Sequence, residues 1–321
     1  MDCEISLKDK KKSGKQIHWK IKKRSGVKIA DSLSRLGMTE NAKRMKYCAT
    51  VLNFDKDLET RSMTLTKRQL QFCKHMICPI CQSRKAILNY HKLQAVMERI
   101  EKEDGKEPTL IFVTLTVKNV SSKAFADTIE NILKGWKKME RTAKFKQIRG
   151  YYRTLEVTIS KNNEYHPHLH VLCMVDEDYF KKSNENYIKT EELVKCWKRS
   201  INADYTPVCY MQRVKGKKAL LEISKYMVKS WELIQDRTEE ELDQIVYTLI
   251  SGLKRRRLTG YGGRFKTVNK TLKEELKERK YDNEETEELF CLTGNHRKSG
   301  EFVDEEIYCW DWKKMDYMKV L

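Results

Sequence analysis

The sequence predicts an α+β fold in which helices flank a central antiparallel sheet. Stretches rich in β-branched residues alternate with stretches whose apolar residues recur every three or four positions. From residue 109 onward their order is strand, helix, strand, strand, helix, strand, helix, which is a ferredoxin-like arrangement. Two of the strands are separated only by a short turn, as in an antiparallel hairpin. With 321 residues, the chain is long enough for one large domain or two ordinary ones.

Residues 1–35 are predicted to form a flexible basic arm. Lys10–Lys12 and Lys22–Arg24 are cation runs without helical or strand periodicity. Such an arm either contacts phosphates or is a solvated tail, and the composition does not separate the two. The Cys-rich segment 36–108 contains a strand-like run at Tyr47–Leu52 and ends in a helix.

A core domain is predicted at residues 109–235, preceded by the helix of the Cys-rich segment. Apolar spacing predicts helices, and β-branched runs predict strands. In chain order, the predicted elements are a helix at Ser83–Glu103, a strand at Thr109–Val117, a helix at Ala124–Phe145, strands at Tyr151–Ile159 and His166–Val175, a helix at Glu191–Ile201, a strand at Val208–Val214 and a helix at Ala219–Lys229.

Two further regions complete the predicted organisation. A helical, basic region at 236–280 contains helices at Glu239–Leu253 and Thr267–Lys280. An acidic C-terminal tail at 281–321 is predicted to be separate from the core, with a small helix or strand around Ile307–Met318.

Four cysteines are candidate zinc ligands. Cys78 and Cys81 form a C-x-x-C pair, whose tight turn aims both sulfurs at one ion. Cys73 lies five residues before this pair, and either Cys48 or His75 would supply the fourth ligand. A redox pair shares the C-x-x-C spacing, and buried thiols without a metal are a second alternative. A closed four-ligand site would be structural rather than catalytic.

A second candidate metal site lies on the predicted strand that begins at His166. Alternate residues of a strand share a face, so His166, His168 and His170 would point the same way. The chain has only seven histidines, and three of them fall here. Glu156 on the neighbouring strand could face them and be the third ligand beside His168 and His170. His166 is the alternative third ligand. A carboxylate beside imidazoles suits a hard divalent ion such as Mn²⁺ or Mg²⁺. The alternative is a surface strand that happens to carry histidines.

The predicted helix Ala219–Lys229 carries candidate catalytic groups. Glu222 and Tyr226 are four residues apart and therefore stand on one face, and Lys225 and Lys229 stand on an adjacent one. The alternative is an ordinary helix whose tyrosine packs at the edge of the core and whose glutamate faces water.

Composition indicates a cytoplasmic protein that binds a polyanion. The formal net charge is +19, and phosphate neutralisation supplies much of nucleic-acid affinity. Ribosomes and anionic membrane surfaces attract the same charge. The sequence has no apolar run of ~20 residues and no apolar N-terminal signal, so no membrane association is expected. Ten cysteines fit a reducing compartment as thiols or zinc ligands. The predicted DNA contacts are Arg84, Lys229, Arg255, Arg256, Arg257 and Arg264.

Together these blocks resemble the HUH endonucleases, and more closely the rolling-circle replication initiators (Rep proteins) of Gram-positive bacterial plasmids. The resemblance runs from about Arg44 to about Leu272. The blocks that carry it are Cys78–Cys81, Phe112–Thr116, His166–Val171, Glu222–Tyr226 and Gly262–Phe265.

The resemblance implies a metal-dependent nickase built on a ferredoxin-like HUH core. His168 and His170 would bind the metal, Tyr226 would be the nucleophile, and Glu222 would activate water at termination. By the chemistry of these residues, Lys225 or Lys229 would lower the pKa of Tyr226 or neutralise the phosphate. The implied substrate is single-stranded or hairpin DNA of a plasmid origin, and the implied partners are a host helicase and a DNA polymerase. Alternatives are a single-tyrosine transposase or relaxase, and a non-enzymatic zinc-containing DNA-binding regulator.

Overall fold

The computed structural model describes residues 6–7, 18–57, 63–65, 71–181, 187–214, 220, 223–224, 237–278 and 303–320. The helices in this part of the chain are α1 (Trp19–Arg35), α2 (Thr39–Lys46), α3 (Pro79–Asp104), α4 (Ser122–Met139), α5 (Thr190–Ser200), α6 (Glu239–Leu253) and α7 (Gly263–Glu278). The strands are β1 (Val51–Asp57), β2 (Met63–Leu65), β3 (Thr109–Thr116), β4 (Gly150–Ile159), β5 (Tyr165–Val175), β6 (Cys209–Val214), β7 (Thr259–Gly262), β8 (Val303–Asp311) and β9 (Asp316–Lys319).

The chain divides into two compact units. One comprises residues 1–84, 229–247 and 296–321, and the other comprises residues 85–228 and 248–295. We call them the cysteine unit and the histidine unit after the clusters described below. None of the described helices is both long and apolar enough to span a membrane.

The histidine unit is built on a five-stranded antiparallel sheet in the order β6–β3–β5–β4–β7. Helix α4 links β3 to β4, and α5 links β5 to β6. The predicted ferredoxin-like order is therefore confirmed from β3 to β6, and the last helix of that order lies outside the described residues. Strand β7 adds an edge that the sequence did not predict.

Helices cover both faces of this sheet. Helices α4 and α5 contact each other at Gly135, where a Cβ atom would lie 2.6 Å from Ile201. We call the opposite side the α3 face, because helix α3 packs on it. The core of the α3 face consists of Leu93, Val96, Ile100, Leu110, Phe112, Tyr152, Leu172, Met174, Leu220, Ile223, Phe265 and Val268.

The cysteine unit contains a four-stranded antiparallel sheet in the order β2–β1–β8–β9. Strand β1 pairs with β8 along the whole length of β1, from Val51 opposite Cys309 to Asp57 opposite Val303. The prediction of a separate C-terminal tail is therefore wrong for residues 303–319. Acidic residues at buried positions obscured the alternation of apolar and polar residues that marks a strand. One of them is Glu306, which is buried and forms ion pairs with Lys56 and Lys319.

The prediction of a flexible arm is likewise wrong for Trp19–Arg35, which forms helix α1. Ile29 and Leu33 are fully buried on one side of this helix, as is Lys23. A buried lysine counts as polar in a sequence pattern, so the apolar stripe looked interrupted.

Most other elements lie within a few residues of their predicted positions. Five bounds differ more. The helix predicted to reach Phe145 ends at Met139, and the helices predicted from Ser83 and Thr267 begin at Pro79 and Gly263. The first strand, predicted at Tyr47–Leu52, is observed at Val51–Asp57 and so differs at both ends. The predicted helix 219–229 lies outside the described residues except for Leu220, Ile223 and Ser224.

We expect Gly263→Ala to destabilise the histidine unit. Gly263 has φ +52, and a Cβ atom there would lie 2.3 Å from the backbone oxygen of Arg149. Gly105 has a similar φ of +69 but nothing within 4 Å of the added atom. Left-handed strain alone costs about 1 kcal/mol, and overpacking adds roughly 1–3 kcal/mol.

Urea unfolding should therefore show a loss of about 2–4 kcal/mol for Gly263→Ala and about 1 kcal/mol for Gly105→Ala. Equal losses in the two variants would contradict the steric explanation.

Candidate metal centres and active site

Four cysteine sulfurs converge in the cysteine unit. Cys48, Cys73, Cys78 and Cys81 each offer a sulfur, and all four sulfurs lie within 4.8 Å of one another. Cys48 and Cys73 each lie 3.6 Å from Cys81, and Cys48 lies 3.7 Å from Cys78. A zinc tetrahedron with Zn–S bonds of ~2.3 Å has edges of about 3.8 Å, so this spacing fits a closed site. We call these residues the cysteine cluster.

The backbone around the cysteine cluster is strained. Ala49 and Lys74, each directly after a cluster cysteine, have φ values of +50 and +55. Non-glycine residues adopt this conformation when their surroundings impose it. His75, the rival fourth ligand, is not among the converging groups, although its backbone N–H donates to the sulfur of Cys73 at 3.5 Å.

A buried lysine lies beside the cysteine cluster. The Lys23 ammonium donates to the backbone oxygens of Lys46 and Cys48, both at 2.7 Å. Burial lowers the pKa of Lys23 to about 8, while the nearby sulfurs of Cys48, Cys78 and Cys73 act in the opposite direction. Its positive charge offsets negative charge on the sulfurs, as a metal-bound thiolate cluster requires.

Three of the thiols differ in how readily they ionise. Hydrogen bonds from Cys73, Cys78 and Cys81 lower the pKa of Cys48. The hydrogen bond to Cys48 in turn raises the pKa values of Cys78 and Cys81. A cation bound among the sulfurs would favour the thiolate form of each.

The second group of candidate ligands lies on the sheet of the histidine unit. Glu156 on β4 pairs directly with His168 on β5, so both side chains lie on one face. The Oε2 atom of Glu156 lies 3.7 Å from His168 Nε2 and 3.2 Å from His170 Nε2. We call Glu156, His168 and His170 the metal triad. Their side chains are only 11–12% exposed.

Hydrogen bonds orient both imidazoles of the metal triad. His168 Nδ1 lies 3.2 Å from the backbone oxygen of His166, which can only accept. When a cation occupies the site, Nδ1–H would donate to this oxygen and leave the lone pair of Nε2, the atom that faces Glu156, to bind the ion. Without an ion, an Nε2 that carries the proton can donate it to the Glu156 carboxylate. His170 Nδ1 bonds Thr114 Oγ1 on β3 at 3.1 Å. Both Nε2 atoms are thereby directed at one point, which fits binding of a single cation.

The carboxylate of the metal triad is ionised at neutral pH. Burial opposes ionisation of Glu156, but hydrogen bonds and charge interactions with His168 and His170 bring its pKa down to about 2. Two imidazoles and a carboxylate offer a nitrogen and oxygen donor set that divalent cations accept.

His166, the rival third ligand, is close to the metal triad but is not part of it. Its ring centre lies 5.4 Å from that of His168, and its ligand atoms are not among those that converge. Burial, followed by the neighbouring His168, lowers the pKa of His166. Of the two predicted third ligands, Glu156 rather than His166 therefore lies together with His168 and His170.

The candidate catalytic residues Tyr226, Glu222 and Lys225 lie outside the described residues, and so does Lys229. Three neighbours in the same predicted helix are described, namely Leu220, Ile223 and Ser224. Leu220 and Ile223 are buried in the core of the α3 face. That core includes Phe112, whose ring centre lies 5.3 Å from that of His170. Leu220 and Ile223 therefore pack on the face that carries the metal triad.

The residues predicted to contact DNA differ in their exposure and in their pairing with acidic side chains. Arg255 and Arg257 are exposed. The Arg84 guanidinium stacks 4.6 Å from the centre of the Phe72 ring. Two others are paired with acids: Arg256 lies 3.5 Å from Glu130, and Arg264 bonds Asp104 at 2.5 and 2.6 Å.

Sequence reasoning missed two polar residues that support these sites. Lys23 belongs to a cation run that was predicted either to contact phosphates or to form a solvated tail, and nothing in the sequence marks one of its lysines as buried. Thr114 lies in a β-branched run that was predicted to be a strand and a block of the resemblance, without a role beside the histidines. Its position opposite His170 follows from the pairing of β3 with β5, which a sequence does not specify.

Comparisons with known proteins point to replication proteins. The family model Rep_1, described as "Replication protein", matches residues 64–318. A "Protein rep" of Streptococcus pneumoniae serotype 2 is 35% identical over 274 residues, covering 83% of each chain. A "Protein rep" of Lentilactobacillus hilgardii is 33% identical over 321 residues, covering 97% of this chain and 98% of the relative. No solved structure matches the chain significantly.

We expect Cys78→Ser to abolish metal binding by the cysteine cluster, because three sulfurs cannot close the tetrahedron. Elemental mass spectrometry of the purified protein should show the loss of one tightly bound metal equivalent. Cys309→Ser is the matched control, since Cys309 is a partly buried cysteine of the same unit outside the cluster. Unchanged metal content in Cys78→Ser would show that the cluster holds no ion.

Proposed function

Since the chain belongs to the Rep_1 family of rolling-circle plasmid replication proteins, we propose that it initiates replication by nicking one strand of a plasmid origin. The nick leaves the 5′ phosphate joined to Tyr226. The observation that carries this proposal is the convergence of Glu156, His168 and His170 on one point of the α3 face. A purely DNA-binding regulator has no use for such a buried group.

The metal triad is proposed to hold Mn²⁺ or Mg²⁺. A divalent cation there would supply positive charge to the oxygens of the scissile phosphate. Glu156 contributes a carboxylate that stays ionised, and the two histidines contribute Nε2 atoms fixed by His166 and Thr114.

Tyr226 is proposed as the nucleophile. Leu220 and Ile223 anchor the preceding part of its segment in the core of the α3 face, which supports a position near the metal triad. The phenol oxygen would form a bond to phosphorus while the bond from phosphorus to the 3′ oxygen breaks. The phenol proton must leave and the 3′ oxygen must gain one, so the products are a 5′-phosphotyrosine and a free 3′-OH. A free tyrosine has a pKa near 10, and Lys225 would lower that value or neutralise the phosphate.

Glu222 is proposed to act when the round of synthesis ends. It would take a proton from water, which then attacks the regenerated junction in place of a second tyrosine. The free 3′-OH from the first step would prime a host DNA polymerase, with a host helicase opening the duplex in the cytoplasm. The family match over 64–318 favours this initiator over the transposase and relaxase alternatives.

The cysteine cluster is proposed to be a structural zinc site. Its sulfur spacing of 3.6–3.7 Å supports a closed tetrahedron with no open position for a substrate. Arg84 follows the last cluster cysteine by three residues and would present a cation to single-stranded or hairpin origin DNA, as would the exposed Arg255 and Arg257.

We expect Tyr226→Phe to lower the rate of nicking by at least about a thousandfold, because the nucleophilic oxygen is removed. Nicking of a supercoiled origin plasmid measures the rate, and a 3′-labelled oligonucleotide reports the covalent adduct on a denaturing gel. DNA binding should be retained. Tyr247→Phe, a change at an exposed tyrosine of helix α6, should nick like the parent. A Tyr226→Phe variant that forms the adduct normally would exclude Tyr226 as nucleophile.

We expect His170→Ala to weaken Mn²⁺ binding by at least about a hundredfold, and Thr114→Val, which removes the bond to His170, by about 10- to 100-fold. Isothermal titration calorimetry measures both affinities. His91→Ala is the control, because His91 lies outside the metal triad. Parental affinity in His170→Ala would place the cation site elsewhere.

A further inference from the structure

An exposed tyrosine lies in the same cross-strand row as the metal triad. Tyr210 on β6 pairs with Thr114 on β3, and Thr114 pairs with His170 on β5. Tyr210 and His170 are therefore two strands apart, roughly 10 Å across the sheet. The Tyr210 residue is 66% exposed, although it is aromatic and belongs to a strand.

Neighbouring contacts determine which face Tyr210 occupies. Val214, four residues along β6, packs against the core of the α3 face. Arg213 and Met211 point to the opposite face of the sheet. There the Arg213 guanidinium lies over the Phe180 ring, and the Met211 sulfur accepts a hydrogen bond from the Tyr179 hydroxyl. Since side chains of a strand alternate, Tyr210 shares the α3 face with His170.

A lysine, Lys118, follows the end of β3 that pairs with His168. Thr116 on β3 is paired with His168, and Lys118 follows two residues later. The Lys118 ammonium lies 4.4 Å from the centre of the Tyr205 ring, and the Lys118 side chain is exposed. An exposed ring for a base and a nearby cation for a phosphate are the two elements that bind single-stranded nucleic acid without sequence preference.

We propose that Tyr210 is a binding residue for single-stranded DNA, on which a base close to the scissile phosphate stacks. This inference rests on the proposed function, because it assigns the strand on Tyr210 to the one cut at the metal triad. Stacking on the edge strand would hold the unpaired strand across β3 and over the triad. The exposed ring would thereby select unpaired over duplex DNA, whose bases are already stacked on one another.

The test compares removal of the ring with removal of the hydroxyl alone. Tyr210→Ala should weaken binding of a short fluorescein-labelled oligothymidine by about 5- to 150-fold, whereas Tyr210→Phe should bind like the parent. Fluorescence anisotropy without added divalent cation measures affinity apart from cleavage and leaves the proposed structural zinc in place. Binding of a duplex of the same length should change little in either variant. Tyr247→Ala is the matched control, because Tyr247 is 53% exposed in the other unit.

Several results would overturn the proposal. Parental affinity of Tyr210→Ala for oligothymidine would show that no base stacks there. An equal loss in Tyr210→Phe would assign the effect to the hydroxyl, and an equal loss on duplex would assign it to general phosphate binding. Photocross-linking of an iododeoxyuridine oligonucleotide gives a direct readout: the adduct should map to Tyr210 in the parent and not to Tyr247.

Failure of the nicking proposal would look different. In that case the parent would form no covalent adduct with origin DNA, while Tyr210→Ala would still lose affinity for oligothymidine. Conversely, a parent that nicks while Tyr210→Ala binds normally would refute only the assignment of Tyr210.

Discussion

The hydrogen-bonded register between β4 and β5 is the constraint on which the candidate active site depends. It places Glu156 opposite His168, with His170 one step along the same face. A slip of one residue would turn the carboxylate to the opposite face, away from both imidazoles. Ten residue pairs fix the register, from Gly150 with Met174 to Ile159 with Tyr165, and the buried strand Leu169–Val175 anchors it in the core.

The sheet also supplies the groups that aim the ligands. Thr114 comes from the strand on the other side of β5, so three adjacent strands contribute to one site. Residues on paired strands keep their relative positions because the backbone hydrogen bonds fix them, whereas residues on loops do not. The same regular spacing extends one strand further to Tyr210, which makes the edge of the sheet part of the same surface.

The net charge of +19 overstates how many cations are free to meet DNA. Arg264 is held by Asp104 and Arg256 lies close to Glu130, so both charges contribute to internal ion pairs. Lys23 is buried beside the cysteine cluster, where it balances sulfur charge. Composition therefore identifies the class of partner, while burial and pairing decide which side chains reach it.

The sequence by itself determined the ferredoxin-like order of elements and the hairpin that carries the metal triad. Both follow from local signals, namely the periodicity of apolar residues and a short turn between two strands. The C-x-x-C spacing is equally local and predicted two ligands of the cysteine cluster. Only the tertiary structure decided that Cys48 rather than His75 joins them, that Glu156 rather than His166 joins the other two histidines, and that residues 303–309 pair with β1. Those choices depend on contacts between residues far apart in the chain, and the pairing partner of a strand edge or of a buried charge leaves no periodic trace in the sequence.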